Sequence, residues 1–93
     1  MKLRVQKRAL RQIEDALTYI AAESPQGAAN VEARIVAAFL QVQRYPFLGR
    51  PTPITGVRRM VLTPFPYHFD YFVGSDEVVV QRFRHAARRP SGD

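Results

Sequence analysis

Six arginines fall in two short stretches of the chain, Arg58-Arg59 and Arg82-x-Arg84-x-x-x-Arg88-Arg89, and His85 sits inside the second. Guanidinium groups fork onto phosphates and carboxylates bidentately, and they stabilise charge that develops on a phosphodiester. An imidazole beside them is a candidate general acid or base near neutral pH. Two interaction functions are open to such a set. One is a surface that contacts phosphates, with Phe72 and tyrosines interleaved; the other is the docking site of an acidic protein segment. A solvated basic face that serves solubility is the plainer alternative, and His85 can also be read as a residue that ends a strand and bonds to backbone.

A second pair, His68 and Asp70, offers half of a metal site. Two histidines and one carboxylate without ligand spacing give no reason to expect a metal. There is no serine nucleophile motif, no glycine-rich phosphate loop and no paired carboxylate site, and no cofactor is expected. The absence of cysteine removes disulfides, thiolate zinc sites and cysteine nucleophiles together, which fits a reducing compartment.

Fourteen Lys and Arg against eight Asp and Glu give a net charge of +6, and Lys2 and Lys7 are the only lysines. In a chain of 93 residues that balance points to an acidic partner: nucleic acid, a nucleic-acid machine or an acidic protein. The length allows one domain, residues 1–93, in which about 64 % of the unfolded surface can be buried. With 46 % hydrophobic and 24 % charged residues, the composition is that of a globular protein. No apolar run approaches the length of a membrane span, and no signal-like segment follows the basic start, so a soluble, unexported protein is expected.

The elements that position these residues follow from periodicity. Residues 2–6 alternate, with Leu3 and Val5 on one face, and predict an edge strand. From about Lys7 the period becomes helical, with Leu10, Ile13, Leu17 and Ile20 on one stripe. Ser24-Pro25 restarts the helical phase, because serine accepts an orphan amide at the N-cap and proline suits the first helical position. The second helix carries Ala28, Val31, Ile35, Phe39 and Val42 on its stripe and runs to about Arg44. Tyr45–Pro53 holds three prolines and a glycine, which predicts a loop. Three runs then predict an antiparallel meander: Val57–Thr63, Tyr67–Val73, and Glu77 to Arg84 or His85. The fold class is therefore α+β, in the order β-α-α-β-β-β, with a helical hairpin packed on one face of an antiparallel sheet. Tyr67, Phe69, Tyr71 and Val73 are expected in the core, with His68, Asp70 and Phe72 on the sheet face away from the helices. The last strand is ambiguous, since Val78, Val80, Arg82 and Arg84 oppose Val79, Gln81, Phe83 and His85. Residues from about 89 to 93 read as a loose tail.

Taken in order, several short signatures resemble the RelE/ParE superfamily of toxins from bacterial type II toxin–antitoxin systems. They are Ile13 and Tyr19-Ile20-Ala21, Ser24-Pro25, Pro46 through Gly49-Arg50, Gly56-Val57-Arg58-Arg59, Pro66-Tyr67 followed by Tyr71, and Arg82-Phe83-x-His85-Ala86-Ala87-Arg88. The resemblance covers nearly the whole chain. It implies a cytoplasmic growth inhibitor, held inactive by a cognate antitoxin that itself binds operator DNA, so that operator DNA is a partner only indirectly. It also implies an antitoxin-binding set of Tyr45, Phe47, Leu48 and Arg50 in the Pro46–Pro53 loop region, beside the outer faces of the helical hairpin.

Two activities occur in the superfamily. RelE-like members cut mRNA on the ribosome with lysines, arginines and a C-terminal tyrosine or histidine; here no lysine follows Lys7, and Thr63 follows Leu62 where many nucleases place arginine. ParE-like members poison DNA gyrase, and the Arg82-to-Arg88 ending with the Gly49-Arg50 turn is more similar to that branch. The resemblance thus implies a gyrase-binding toxin without catalysis, of the plasmid-stabilising kind, whose target-binding set is Arg58, Arg59, Arg82, Arg84, His85 and Arg88. The alternative is a ribosome-dependent mRNA endoribonuclease using Arg58, Arg59, Arg82, His85 and Arg88. A non-toxic basic module that binds RNA or protein is a further alternative.

Overall fold

The computed structural model describes residues 1–87. The expected tail from about residue 89, and Arg88 with it, lie outside the described residues. Strand β1 (Lys2–Val5) leads into helix α1 (Lys7–Glu23), and a single residue separates it from helix α2 (Pro25–Arg44). That residue, Ser24, serves both helices. Its amide closes α1 on the Ile20 carbonyl at 2.8 Å, while its Oγ accepts the Gly27 amide at 2.9 Å, the N-cap geometry that satisfies an orphan donor. The hairpin is therefore tight, and its two apolar stripes face the same sheet.

Strand β3 (Val57–Val61), β4 (Tyr67–Val73) and β5 (Glu77–His85) form the antiparallel meander. Three features of the sheet depart from the sequence reading, the first being that β3 stops at Val61, short of the expected Thr63. The proline-rich loop contributes a two-residue strand, β2 (Arg50–Pro51), which pairs antiparallel with β3. Proline is tolerated there because β2 is an edge, where a missing amide faces no partner strand. The sheet is also not wholly antiparallel: β1 pairs parallel with β5, giving the order β1-β5-β4-β3-β2. A two-helix crossover carries the chain from the first strand to the far side of the meander, and such a connection permits parallel pairing.

The core lies between helices and sheet. Val31, Ile35, Ala38 and Val42 of α2 meet Phe69, Tyr71, Val78, Val80 and Phe83, with Ala9 and Ile13 of α1. Phe69 sits at its centre, edge-on to Phe39 at 5.0 Å between ring centroids. Leu10, expected on the buried stripe of α1, is exposed, and Ala9 takes its place.

The ambiguity of β5 has a structural cause. Its register against β4 shifts between Asp70 and Tyr71, so that Asp70 opposes Arg82 while Tyr71 opposes Val80, leaving Gln81 as the extra residue of a bulge. A bulge reverses the alternation of the strand. Val78, Val80 and Phe83 can thus all face the core. Helix α1 fastens the bulge: Gln12 Oε1 accepts the Phe83 amide at 2.9 Å, and Arg8 Nε donates to the Gln81 carbonyl at 3.3 Å.

Candidate functional site

On the face of the sheet that the helices leave uncovered, side chains line up in three cross-strand rows. The first is apolar: Val57, Phe72 and Val79. Phe72 lies over Gly56, whose φ of 81° is a left-handed value and whose added Cβ would meet the ring at 2.6 Å; only glycine fits there. The second row is charged, running Arg50, Arg59, Asp70 and Arg82 across β2, β3, β4 and β5. The third holds Val61, His68 and Arg84. On β1, Lys2 and Arg4 share this face, and Arg4 pairs with Glu77 at 3.2 Å. Among the described residues, six cations of this face (Lys2, Arg4, Arg50, Arg59, Arg82, Arg84) stand against two carboxylates (Asp70, Glu77), a local balance of +4.

Asp70 organises the charged row. It accepts Arg59 Nε at 2.8 Å and Arg59 Nη2 at 3.2 Å, a fork-on-carboxylate geometry that raises the Arg59 pKa through the hydrogen bond. His68 sits half-buried beside this row. Burial first, and the charges of Arg59 and Arg84 with it, lower its pKa below the ordinary value, while Asp70 opposes them. Its Nε2 is buried and has no hydrogen-bond partner among the described residues. Among the described residues no group of three or more His, Cys, Asp or Glu is placed to hold a metal ion.

The residues expected to bind a target are divided between the two faces. Arg59, Arg82 and Arg84 stand on the uncovered face, as do His68, Asp70 and Phe72. Arg58 and His85 point the other way. Arg58 Nη1 donates to the carbonyls of Gly49 at 2.7 Å and Phe47 at 3.2 Å, and its guanidinium lies 5.0 Å from the Phe47 ring centroid. His85 ends β5, meets Tyr67 edge-on at 5.2 Å, and accepts the Ala87 amide on Nδ1 at 3.1 Å. It lines an open cleft of about 570 Å³ between α1 and the end of the sheet, with Tyr19, Tyr67 and Phe83. Arg88 lies outside the described residues.

The residues expected to bind an antitoxin gather at the end of α2. Phe47 is 69 % exposed, Tyr45 58 % and Leu48 51 %, yet the loop that carries them is held from beneath. Tyr71, fully buried in its ring, extends its hydroxyl to the Pro46 carbonyl at 2.8 Å and accepts the Gly49 amide at 2.8 Å. Burial raises the pKa of that hydroxyl above the ordinary tyrosine value, so it keeps its donor proton. At Gly49 an added Cβ would meet the Tyr71 hydroxyl at 2.7 Å and the Arg59 carbonyl at 2.8 Å. The alternation of β4 marks Tyr71 as core, but nothing in the sequence reveals where its hydroxyl reaches. On the outer face of α2, Val36 and Leu40 are also exposed, 52 % and 61 %, one helical turn apart and leading toward this loop. Arg50 is exposed too, but it belongs to the charged row.

The described chain is a helical hairpin on a five-stranded sheet, α+β in class, with one uncovered basic face and one exposed apolar edge. Comparison with known proteins makes the class specific. Residues 3–90 match the family described as ParE toxin of type II toxin-antitoxin system, parDE, and the chain belongs to that family. A putative toxin, Y4kP, from Sinorhizobium fredii (strain NBRC 101917 / NGR234) is 37 % identical over 75 residues, covering 81 % of this chain and 78 % of its own. Toxin RelE2 of Caulobacter vibrioides (strain ATCC 19089 / CIP 103742 / CB 15) is 36 % identical over 81 residues, covering 87 % and 90 %. The fold is similar to a solved structure described as the chromosomal ParDE TA system from P. aeruginosa, with a TM-score of 0.77, 23 % identity, and coverage of 91 % of this chain and 95 % of that one.

Proposed function

We propose that this ParE-family toxin arrests growth by binding DNA gyrase through its uncovered basic face, and that a cognate antitoxin neutralises it by docking on the apolar edge formed by α2 and the Tyr45–Leu48 loop. The observation that carries the reading is the segregation of +4 onto one sheet face, away from most of the exposed apolar side chains. Clustered guanidiniums recognise acidic surfaces and phosphates, whereas a clamped apolar loop is suited to a protein segment. Binding is favoured over RNA cleavage because His85 is turned to the helix side, away from Arg59 and Arg82, which leaves it out of reach as their general acid or base. Cytoplasmic action, plasmid stabilisation and indirect contact with operator DNA through the antitoxin belong to the same reading.

Supercoiling and DNA-cleavage assays with purified toxin and gyrase test it. Inhibition or trapped cleavage is expected, and it should be lost in an Arg82→Ala/Arg84→Ala double variant whose fold is intact by circular dichroism. Cleavage of ribosome-bound mRNA with gyrase unaffected would overturn the reading in favour of a ribonuclease.

A further inference from the structure

We propose that Arg50 and Arg59 form an oxyanion pocket that receives a carboxylate from a partner protein, an inference that rests on the antitoxin reading above. The two arginines are direct cross-strand partners on β2 and β3. Like charges placed directly opposite on a sheet repel and destabilise the pairing, so the arrangement calls for an anion. Asp70 supplies one, but it is bound through Arg59 Nε and Nη2 from the β4 side. Along the row Arg50, Arg59, Asp70, Arg82 there are three guanidiniums and one carboxylate. Among the described residues no carboxylate pairs with Arg50.

Beside the two arginines lies a small open depression of about 170 Å³, lined by Arg50, Pro51, Thr52, Pro53 and Arg59. It is smaller than the clefts of roughly 300–1,000 Å³ that take whole small molecules, and suits the end of one acidic side chain. Its floor is built in advance. Thr52 donates its amide to the Val57 carbonyl at 3.0 Å and its hydroxyl to the same carbonyl at 2.9 Å, and Oγ1 accepts the Ile54 amide at 3.2 Å. Two prolines and the Tyr71–Gly49 hydrogen bond hold the approach. An anion entering such a site meets a backbone that is already ordered, and what it orders is the Arg50 side chain.

The neighbours of the pocket select the source of the anion. Ile54, 67 % exposed, follows the pocket in the chain, and Leu48, 51 % exposed, precedes it. A protein segment that sets an acidic residue among aliphatic ones covers both guanidiniums and both aliphatic side chains. A phosphodiester backbone leaves the aliphatic pair facing water. The site also joins the two surfaces of the molecule, because Arg59 belongs to the basic face while Arg50 adjoins the apolar loop. A carboxylate held between them neutralises one end of the face that the target needs.

The test titrates sodium acetate into the full chain at constant ionic strength and follows the arginine side-chain and backbone amide resonances by NMR. Saturable shifts at Arg50 Nε–H, Arg59 Nε–H and the Thr52 amide, abolished by Arg50→Gln, are expected; inorganic phosphate should compete with acetate. Shifts spread evenly over all arginines, or saturation of Arg50 and Arg59 by a short oligothymidylate but not by acetate, overturn the proposal. The cognate antitoxin should bind Arg50→Gln toxin about tenfold or more weakly than the natural toxin, as befits loss of a charge-assisted bond. Loss of toxicity in Arg50→Gln with antitoxin affinity unchanged assigns the pocket to the target and overturns the proposal. Should the natural toxin fail to arrest growth, the functional reading falls while the acetate titration still decides the pocket.

Discussion

The helical layer and the uncovered sheet face are built from similar numbers of charged residues and carry very different fields. Over residues 7–44, the cations Lys7, Arg8, Arg11, Arg34 and Arg44 are matched against Glu14, Asp15, Glu23 and Glu32, a balance of +1. The sheet face holds +4. Exposed apolar side chains are distributed the other way, with Leu10, Tyr19, Val36, Leu40, Tyr45, Phe47 and Leu48 on the helical side against Val61 and Phe72 on the sheet. One thin core therefore carries two unlike surfaces, a nearly neutral layer with an exposed apolar edge and a cationic plane.

The harshest way to break this contrast is to remove what both surfaces share. Phe69→Ala, at a fully buried position between the layers, is expected to cost about 3–5 kcal/mol. Urea unfolding should then abolish toxicity and antitoxin binding together. Tyr71→Phe is more selective. It leaves the ring in the core and strands the Gly49 amide and the Pro46 carbonyl, at a cost of about 1–3 kcal/mol. Hydrogen exchange at the Gly49 amide should accelerate, and an unchanged rate would show that the loop is held by other means.

Smaller effects sharpen the division. Arg82→Ala with Arg84→Ala should change stability by less than about 1 kcal/mol and abolish growth arrest, with antitoxin still bound. Leu40→Ser with Phe47→Ser should alter stability by about 0.5 kcal/mol or less and leave growth arrest intact, while antitoxin affinity, measured by calorimetry, falls about tenfold or more. The smallest effect is one of pH. With its pKa held below the usual histidine value by burial and by Arg59, His68 takes up a proton in the unfolded chain before it does in the folded one. Its contribution to stability is present above the unfolded pKa of about 6.5 and is lost as pH falls through the folded value. His68→Gln should remove this slope from the dependence of the urea midpoint on pH.

Much of this was legible in the residues. The period switch near Lys7, the Ser24-Pro25 restart and the alternation of Tyr67–Val73 placed the hairpin and the core strands, and the last two strands begin and end where the pattern says. The parallel partner of β1 was not legible, because pairing across a long crossover leaves no local mark. The phase of β5 was hidden by Gln81, since a bulge is a property of two strands and not of one. At the site, alternation put Arg82 with Arg84 but could not say which face they share, nor whether Arg58 or Arg59 joins them. Arg58 and Arg59 are adjacent residues of one type, and only the sheet decides that one clamps the loop and the other faces outward. Arg50 was assigned to the loop by composition, and it took the two-residue strand β2 to bring it against Arg59.

The parallel pairing of Lys2–Val5 with Glu77–Val80 has a consequence in time. The first strand to leave the ribosome has no neighbour until the last strand is synthesised, and contacts of such wide sequence separation form late and slowly. The row of Asp70 and Arg82, the bulge that Gln12 fastens and the partner of β1 all wait on residues beyond 77. A nascent chain stalled before that point has its helices but no assembled cationic plane. Translation thus defers the assembly of the cationic plane to the final strand.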